Sequence, residues 1–199
     1  MVCGFISENT WVREDRKMKF RELLNTAPEF SGISSKDIDD LERIMSVKNY
    51  PDNYEFFKEG TGGSDIHLLV EGQVGVTHHR GNQRGDIQMK LLKPCEMFGL
   101  IAAIANVKHE ASCRAKGSVT VATMPRNAFN LLINTNSTLG LRFLKLSVAQ
   151  LANDYKSLND LLRKAMFASN EDEAMAVLSP VFSTYTGFER RSLNPKNIH

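Results

Sequence analysis

The spacing of apolar and polar residues changes twice along the chain, and the three regimes predict a β domain set between helices. Residues 1–16 carry mixed charge and a Trp without a dependable period, so they read as an N-terminal extension. A helix is predicted from about Lys17 to Asn25, and Pro28 ends it. Ser34 and Ser35 then precede Asp37, Ile38, Leu41 and Ile44, a polar cap leading into helically spaced apolar residues as far as about Met45. From Val47 to Met124 the pattern becomes short runs separated by glycine and proline, the mark of an antiparallel barrel or sandwich. Strands are predicted at Tyr54–Lys58, Ile66–Val70, Val74–His78, Gln88–Leu92, Ala111–Ala115 and Ser118–Thr123. Gly60, Gly62, Gly63 and Asp65 are expected to form a turn, and Gly81–Asp86 a hairpin tip.

After Pro125 the helical period returns, first with Phe129, Leu131 and Leu132 and then from Ser137 to about Phe167. In the longer segment the apolar residues alternate spacings of three and four, which places Leu141, Val148, Tyr155 and Leu162 at heptad a and Leu144, Leu151, Leu158 and Ala165 at d. Such a stripe can pack on the helix's own barrel. Its narrowness over nearly four heptads, flanked by Lys, Asn, Asp and Ser, favours a parallel homodimer. The domain reading is therefore 1–16 extension, 17–135 barrel domain, 136–168 dimerisation helix and 169–199 tail, the last with one short apolar segment, MAVLSPVF.

Charge and cysteine content narrow the classes. A net charge of +2 on 199 residues gives no basic surface that calls for nucleic acid or membrane. The three cysteines, Cys3, Cys95 and Cys113, lack the spacing of a zinc site or a disulfide framework and fit a reducing, cytoplasmic setting. No window is long and apolar enough to be a transmembrane span. His78–His79 with His67 hint at metal, but strand neighbours face opposite ways, so a polar pair at a strand end is the simpler reading and no metal is expected. Cys113 reads as a buried packing residue. No Walker loop, GxSxG element, HExxH or paired-carboxylate arrangement occurs, so an enzyme is not expected.

Several motifs then fall in one order: APEFSGISSKDIDDLERI, DIHLLVEGQVGV, LKPCEMFG and, over Phe98–Ala115, FGLIAAIANVKHEASCRA. Together they resemble the cyclic-nucleotide-binding domain family, of the catabolite-activator and protein-kinase-A regulatory type, and the resemblance of DIHLLVEGQVGV to the family's strand pair implies a turn at Glu71–Gly72. The resemblance covers about Leu24 to Leu132 and implies an α+β fold, an antiparallel jelly-roll barrel flanked by N-terminal helices and a long C-terminal helix. In bacterial members of the catabolite-activator type the corresponding long helix forms the dimer. The family's cassette reads roughly F-G-E-L-A-L followed by P-R-A-A-T-V-x-A, and Phe98, Gly99, Ala102, Ala111, Ser112 and Ala115 fit that frame. Cys95 stands where a glycine is usual.

The resemblance assigns a nucleotide pocket to Phe98, Gly99, Leu100, Ile101, Ala102, His109, Ala111 and Ser112, and at the same time puts its usual ligand in doubt. The family's ribose-binding Glu falls on Leu100 and its phosphate-binding Arg on His109. Backbone amides at Gly99–Ala102 can still face an anion. A charge-assisted bond is worth ~1.5–3 kcal/mol, and loss of two weakens binding roughly 10²–10⁴-fold. His109 is expected to be a solvent-exposed loop histidine. The chain therefore reads as a regulatory dimer acting through a protein partner, without a cofactor beyond weak cAMP or cGMP, the alternative being a nucleotide sensor using other contacts. Some thirty residues follow the long helix, without notable basic charge, so a DNA-reading domain is not expected.

Overall fold

The computed structural model describes residues 10–79, 86–135 and 138–168. Most of the expected hairpin tip at Gly81–Asp86, the tail from Ser169 and the side chain of Ala165 lie outside the described residues.

Helix α1 runs Thr10–Thr26, starting well before Lys17 and so crossing the expected boundary at residue 16. Its core-facing stripe is Arg16, Phe20 and Leu24, one residue per turn. An arginine at the first of these positions hid the beginning of the stripe in the sequence. A 3-10 turn at Pro28–Phe30 delivers Phe30 to the core. Helix α2, Ser35–Ile44, opens on a capping box, in which the Asp37 amide donates to Ser34 Oγ at 3.1 Å and the Ser34 amide to the Asp37 carboxylate at 3.3 Å.

Among the described residues six antiparallel strands follow: β1 Ser46–Tyr50, β2 Glu55–Phe57, β3 Asp65–His79, β4 Asp86–Leu92, β5 Met97–Phe98 and β6 Ser112–Pro125. Their order is β1-β6-β3-β4, with β2 on β6 and β5 on β3. Two expected strand pairs are each one continuous strand. Ile66–Val70 and Val74–His78 join as β3, and Ala111–Ala115 and Ser118–Thr123 join, apart from Ala111, as β6. Glu71–Gly72 is a bulge where the β3–β6 register shifts, not a turn. Gly72 has φ +88°, and a Cβ there would lie 2.7 Å from the Ser118 carbonyl, so the bulge demands glycine. Strand β1 was not anticipated because only Val47 and Tyr50 of its residues turn inward, leaving little alternation to read.

The period of two along β3 divides the core. Leu69 and Val74 face the barrel interior with Leu92, Phe98, Cys113, Val119 and Val121. Ile66, Leu68 and Val70 face outward and are covered by Phe20, Leu41, Phe129 and Phe143 of the helices. Helix α3 is Leu100–Ala105, α4 is Arg126–Asn134 and α5 is Thr138–Met166. Leu139, Phe143 and Ser147 bury one face of α5. Arg142 ties the same helix to the turn after Phe30, donating to the carbonyls of Ser31 at 2.7 Å and Gly32 at 2.6 Å. Among the described residues no helix is long and apolar enough to cross a membrane.

Candidate functional site

Strand β5 leads into Gly99, which has φ +75° and whose hypothetical Cβ would lie 2.6 Å from the Asp65 carbonyl. Only glycine makes this corner without strain, and from it α3 begins with no side chain capping its N-terminus. A cavity of about 230 Å³ lies between this corner, Phe57 and Leu92, with Lys90, Lys108 and Glu110 on its wall. That is near the lower edge of the ~300–1,000 Å³ usual for small-molecule sites.

The candidate residues divide once their side chains are placed. Phe98, Gly99, Ile101, Ala102, His109 and Ala111 all border the cavity, Ile101 half-exposed at its rim, and Ser112 does not. Leu100 also borders it but is buried in the core cluster beneath the helices. Phe98 packs edge-on to Phe56 at 5.0 Å and stacks on His67 at 4.8 Å, which makes it a core residue first. Ser112 Oγ accepts the Glu59 amide at 2.9 Å and is thereby committed to the loop before β3.

His109 is not the exposed loop histidine the sequence suggested. Its residue is only 6% exposed, and its ring lies flat on Phe57 with centroids 3.7 Å apart and planes 6° apart. Gly63 makes room for the ring, since a Cβ on it would approach His109 Nε2 to 1.8 Å. The backbone is held as firmly: Gly60 N donates to the His109 carbonyl at 2.8 Å and His109 N to the Thr61 carbonyl at 2.9 Å. Burial pushes the imidazole pKa below the ordinary histidine value, so the ring is neutral near pH 7. The sequence went astray here because a polar residue in a polar loop carries no sign that an aromatic partner waits fifty residues upstream.

Helix α5 closes the cavity from outside, a contribution the heptad seam does not predict. The Gln150 amide accepts from Met97 N at 2.8 Å and donates to the Met97 carbonyl at 2.7 Å, satisfying both backbone groups of that strand residue. Lys90 bridges Asp154 and Glu96, each at 2.7 Å. Leu151 packs on the core cluster and borders the cavity. Phe143, Ser147, Gln150 and Asp154 form a second stripe at spacings of four, three and four. That signal was present in the sequence but masked by the more apolar seam beside it.

The heptad positions point elsewhere. Leu141, Val148, Tyr155 and Leu158 are 54%, 57%, 67% and 48% exposed, and Leu144 and Leu162 are also exposed. At 100° per residue this seam lies about a third of a turn from the barrel-facing stripe, with Leu151 on the boundary between them.

Arg126, at the start of α4, is a further residue the sequence did not single out. Its guanidinium donates to the carbonyls of Gly63 at 2.7 Å and Ala102 at 3.0 Å and to Asn106 Oδ1 at 2.5 Å, pinning the last turn of α3 to the glycine turn. The remaining candidates have structural partners. His78 Nδ1 lies 3.2 Å from Glu59 Oε2, which also accepts the His79 amide at 2.8 Å. His67 Nδ1 is 2.9 Å from Thr123 Oγ1, and burial lowers its pKa to about 4. Among the described residues no cluster of three or more His, Cys, Asp or Glu is placed to hold a metal. Cys113 is buried, with its thiol pushed up to about 12. Cys95 sits at φ +73°, a conformation glycine adopts freely, and burial raises its thiol to about 11.

Comparison with known proteins agrees with this geometry. The family model described as cyclic nucleotide-binding domain matches residues 47–136. A cAMP-dependent protein kinase regulatory subunit from Pyricularia oryzae is 25% identical over 118 residues, 59% of this chain and 29% of that protein. The chain thus spans under a third of the length of the curated relatives it matches. Among solved structures, a cyclic nucleotide-binding domain from Methylobacillus flagellatus superposes with TM-score 0.63 at 21% identity, covering 74% of this chain and 82% of that one. The regulatory subunit of a cAMP-independent protein kinase A from Trypanosoma brucei superposes with TM-score 0.55 at 19% identity, covering 73% of this chain and 50% of that one. The glycine corner, the short helix and the paired long strands are therefore arranged as in these solved domains, and residues 47–136 of this chain match the cyclic nucleotide-binding domain family.

Proposed function

We propose that the chain is a non-enzymatic cytoplasmic regulatory module that pairs as a homodimer through the outward seam of α5 and acts on a protein partner. In this reading its pocket binds cAMP or cGMP weakly or not at all. The observation that carries the proposal is the pair Leu100 and His109. One offers no hydrogen bond to a ribose hydroxyl, and the other is a neutral ring held flat against Phe57 instead of a cation facing a phosphate. Loss of two charge-assisted contacts weakens binding roughly 10²–10⁴-fold. The relative from Trypanosoma brucei, described as cAMP-independent, supports the view that this fold can serve regulation without that ligand.

Calorimetric titration of the full chain with cAMP and with cGMP tests the proposal. Heats that saturate only toward millimolar ligand, or none at all, are the expected result. Micromolar affinity for either would overturn it.

A second reading keeps a nucleotide sensor with other contacts. Lys90 supports it, because it lines the cavity while bonded to Asp154 of α5, so an anion drawing on Lys90 would compete with the bond that holds the helix. Saturable micromolar binding that disappears in Lys90→Ala is the outcome this reading requires.

A further inference from the structure

A second and larger cleft, of about 670 Å³, opens among the end of β1, the start of β2, β3 and the loop before β6. Phe57 and His109 line both this cleft and the cassette cavity, so their stacked rings are a wall common to the two. Its volume falls inside the ~300–1,000 Å³ usual for small-molecule sites, which the cassette cavity does not reach.

Two kinds of surface meet in the cleft. The first is aromatic: Tyr50, Tyr54 and Phe56 lie with ring centroids 4.5, 4.9 and 5.1 Å apart, in tilted and edge-on contacts that fix one another. Tyr54 is nevertheless 42% exposed and belongs to neither core cluster. The second is a pair of buried imidazoles, His67 at 8% and His109 at 6% exposure, both lining the cleft. His67 spends Nδ1 on Thr123 Oγ1 at 2.9 Å and keeps Nε2, while the His109 ring has its stack on Phe57 and, among the described residues, no side-chain hydrogen bond. Burial keeps both rings neutral near pH 7, so each carries one N–H and one bare nitrogen.

Buried polar atoms are ordinarily paired, and here the protein leaves nitrogens of both rings without a partner where they border open space. Water can meet those nitrogens but gains nothing from the aromatic wall. A flat ring with nitrogens along its edge meets both. Among the described residues no third His, Cys, Asp or Glu is placed with the pair to hold a metal. The charged residues bordering the cleft, Arg43, Lys48 and Asp65, are of both signs, so hydrogen-bonding pattern and shape, not net charge, set what fits.

From this arrangement we propose that the cleft lined by Tyr50, Tyr54, Phe56, His67 and His109 is a second ligand site, which takes an uncharged planar nitrogen heterocycle of one or two fused rings. The ring lies against the tyrosine and phenylalanine wall, and its edge exchanges hydrogen bonds with the imidazoles. The site differs from the cassette cavity in every lining residue except Phe57 and His109, and it stands whether or not the cassette binds a cyclic nucleotide.

The test is titration of the full chain with adenine, followed by amide and imidazole nitrogen chemical shifts. Saturable shifts at residues 50, 54, 56, 67 and 123 and at the His67 imidazole, with little change at residues 100–102 and 150–154, are expected. Tyr54→Ala, outside the core, should weaken the binding by about tenfold, and His67→Phe, which keeps a ring but removes its nitrogens, by roughly three- to tenfold. Tyr54→Ala keeps the test valid if the buried change unfolds the chain. A parallel titration with adenosine 5′-monophosphate separates the sources of such a ring: the same shifts would identify a nucleotide, and binding of adenine alone a free base. Absence of saturable shifts at millimolar adenine, shifts centred on residues 100–102 and 150–154, or affinity indifferent to Tyr54→Ala or to a folded His67→Phe would each overturn the assignment.

Discussion

On the proposed pairing through α5, Leu158→Asp should leave the chain monomeric without disturbing the protomer. Leu158 is 48% exposed in the protomer, so about half the value of burying a leucine is left for a partner to supply. Full burial is worth ~1.5–3 kcal/mol, which leaves about 1 kcal/mol per chain and about 2 for the two copies. Facing aspartates in the same layer add desolvation of ~1–2 kcal/mol each. The sum, on the order of 4–6 kcal/mol, weakens association by roughly 10³–10⁴-fold, since ~1.4 kcal/mol is tenfold. Sedimentation velocity across the micromolar range should show a wild-type dimer, a Leu158→Asp monomer and thermal midpoints close to one another. Leu151 is the less suitable probe, because it packs partly on the core and borders the cavity, so a charge there disturbs fold and seam together. A monomeric wild type, an undiminished mass for the variant, or a variant that unfolds would each refute the reasoning, the last by showing that the seam packs on its own barrel.

Three further outcomes follow from the contacts around the pocket. His67, with its folded pKa lowered to about 4 from an ordinary 6.5, binds fewer protons folded than unfolded between those values. Its contribution is therefore complete above about pH 6.5 and is lost as pH falls toward 4, on the order of 3 kcal/mol in all; urea unfolding at several pH values should show this slope, and His67→Gln should flatten it. Gln150→Leu removes both partners of the Met97 backbone and should destabilise by ~2–4 kcal/mol, with faster hydrogen exchange at the Met97 amide; protection equal to wild type would rule out the Gln150 bridge. Gly63→Ala should drive His109 off Phe57, because the new methyl would approach Nε2 to 1.8 Å, and should lower stability by ~1–3 kcal/mol while raising the His109 pKa measured by NMR.

What could be read from the sequence was what one element decides locally. The polar cap at Ser34 and Asp37 and the heptad spacing of α5 each declare themselves within a few residues. The failures are pairings made across distance. Glu71–Gly72 looked like a turn because a bulge and a turn share the same glycine, and only the β3–β6 register tells them apart. The early part of α1 was missed because Arg16 occupies a core position. Gln150, Asp154 and Arg126 are polar residues whose partners, Met97, Lys90 and the end of α3, lie twenty or more positions away. Their roles became visible only when α4 and α5 were docked.

The same distinction decides how much weight the cassette motif carries for ligand binding. Gly99 is required by the Asp65 carbonyl behind it, and the loop from Asn106 to Glu110 is fixed by Gly60, Thr61 and Arg126. These constraints come from the fold and hold whether or not a nucleotide is present. A sequence can therefore keep the family's glycine and alanine frame for architectural reasons alone. The positions to which the resemblance assigns the ribose and phosphate contacts, 100 and 109, both contribute to packing: Leu100 in the core beneath the helices and His109 against Phe57. Packing contacts at these two positions are compatible with an intact frame, so the most recognisable segment of the chain argues strongly for the fold, and the weak binding proposed above is decided by the titration alone.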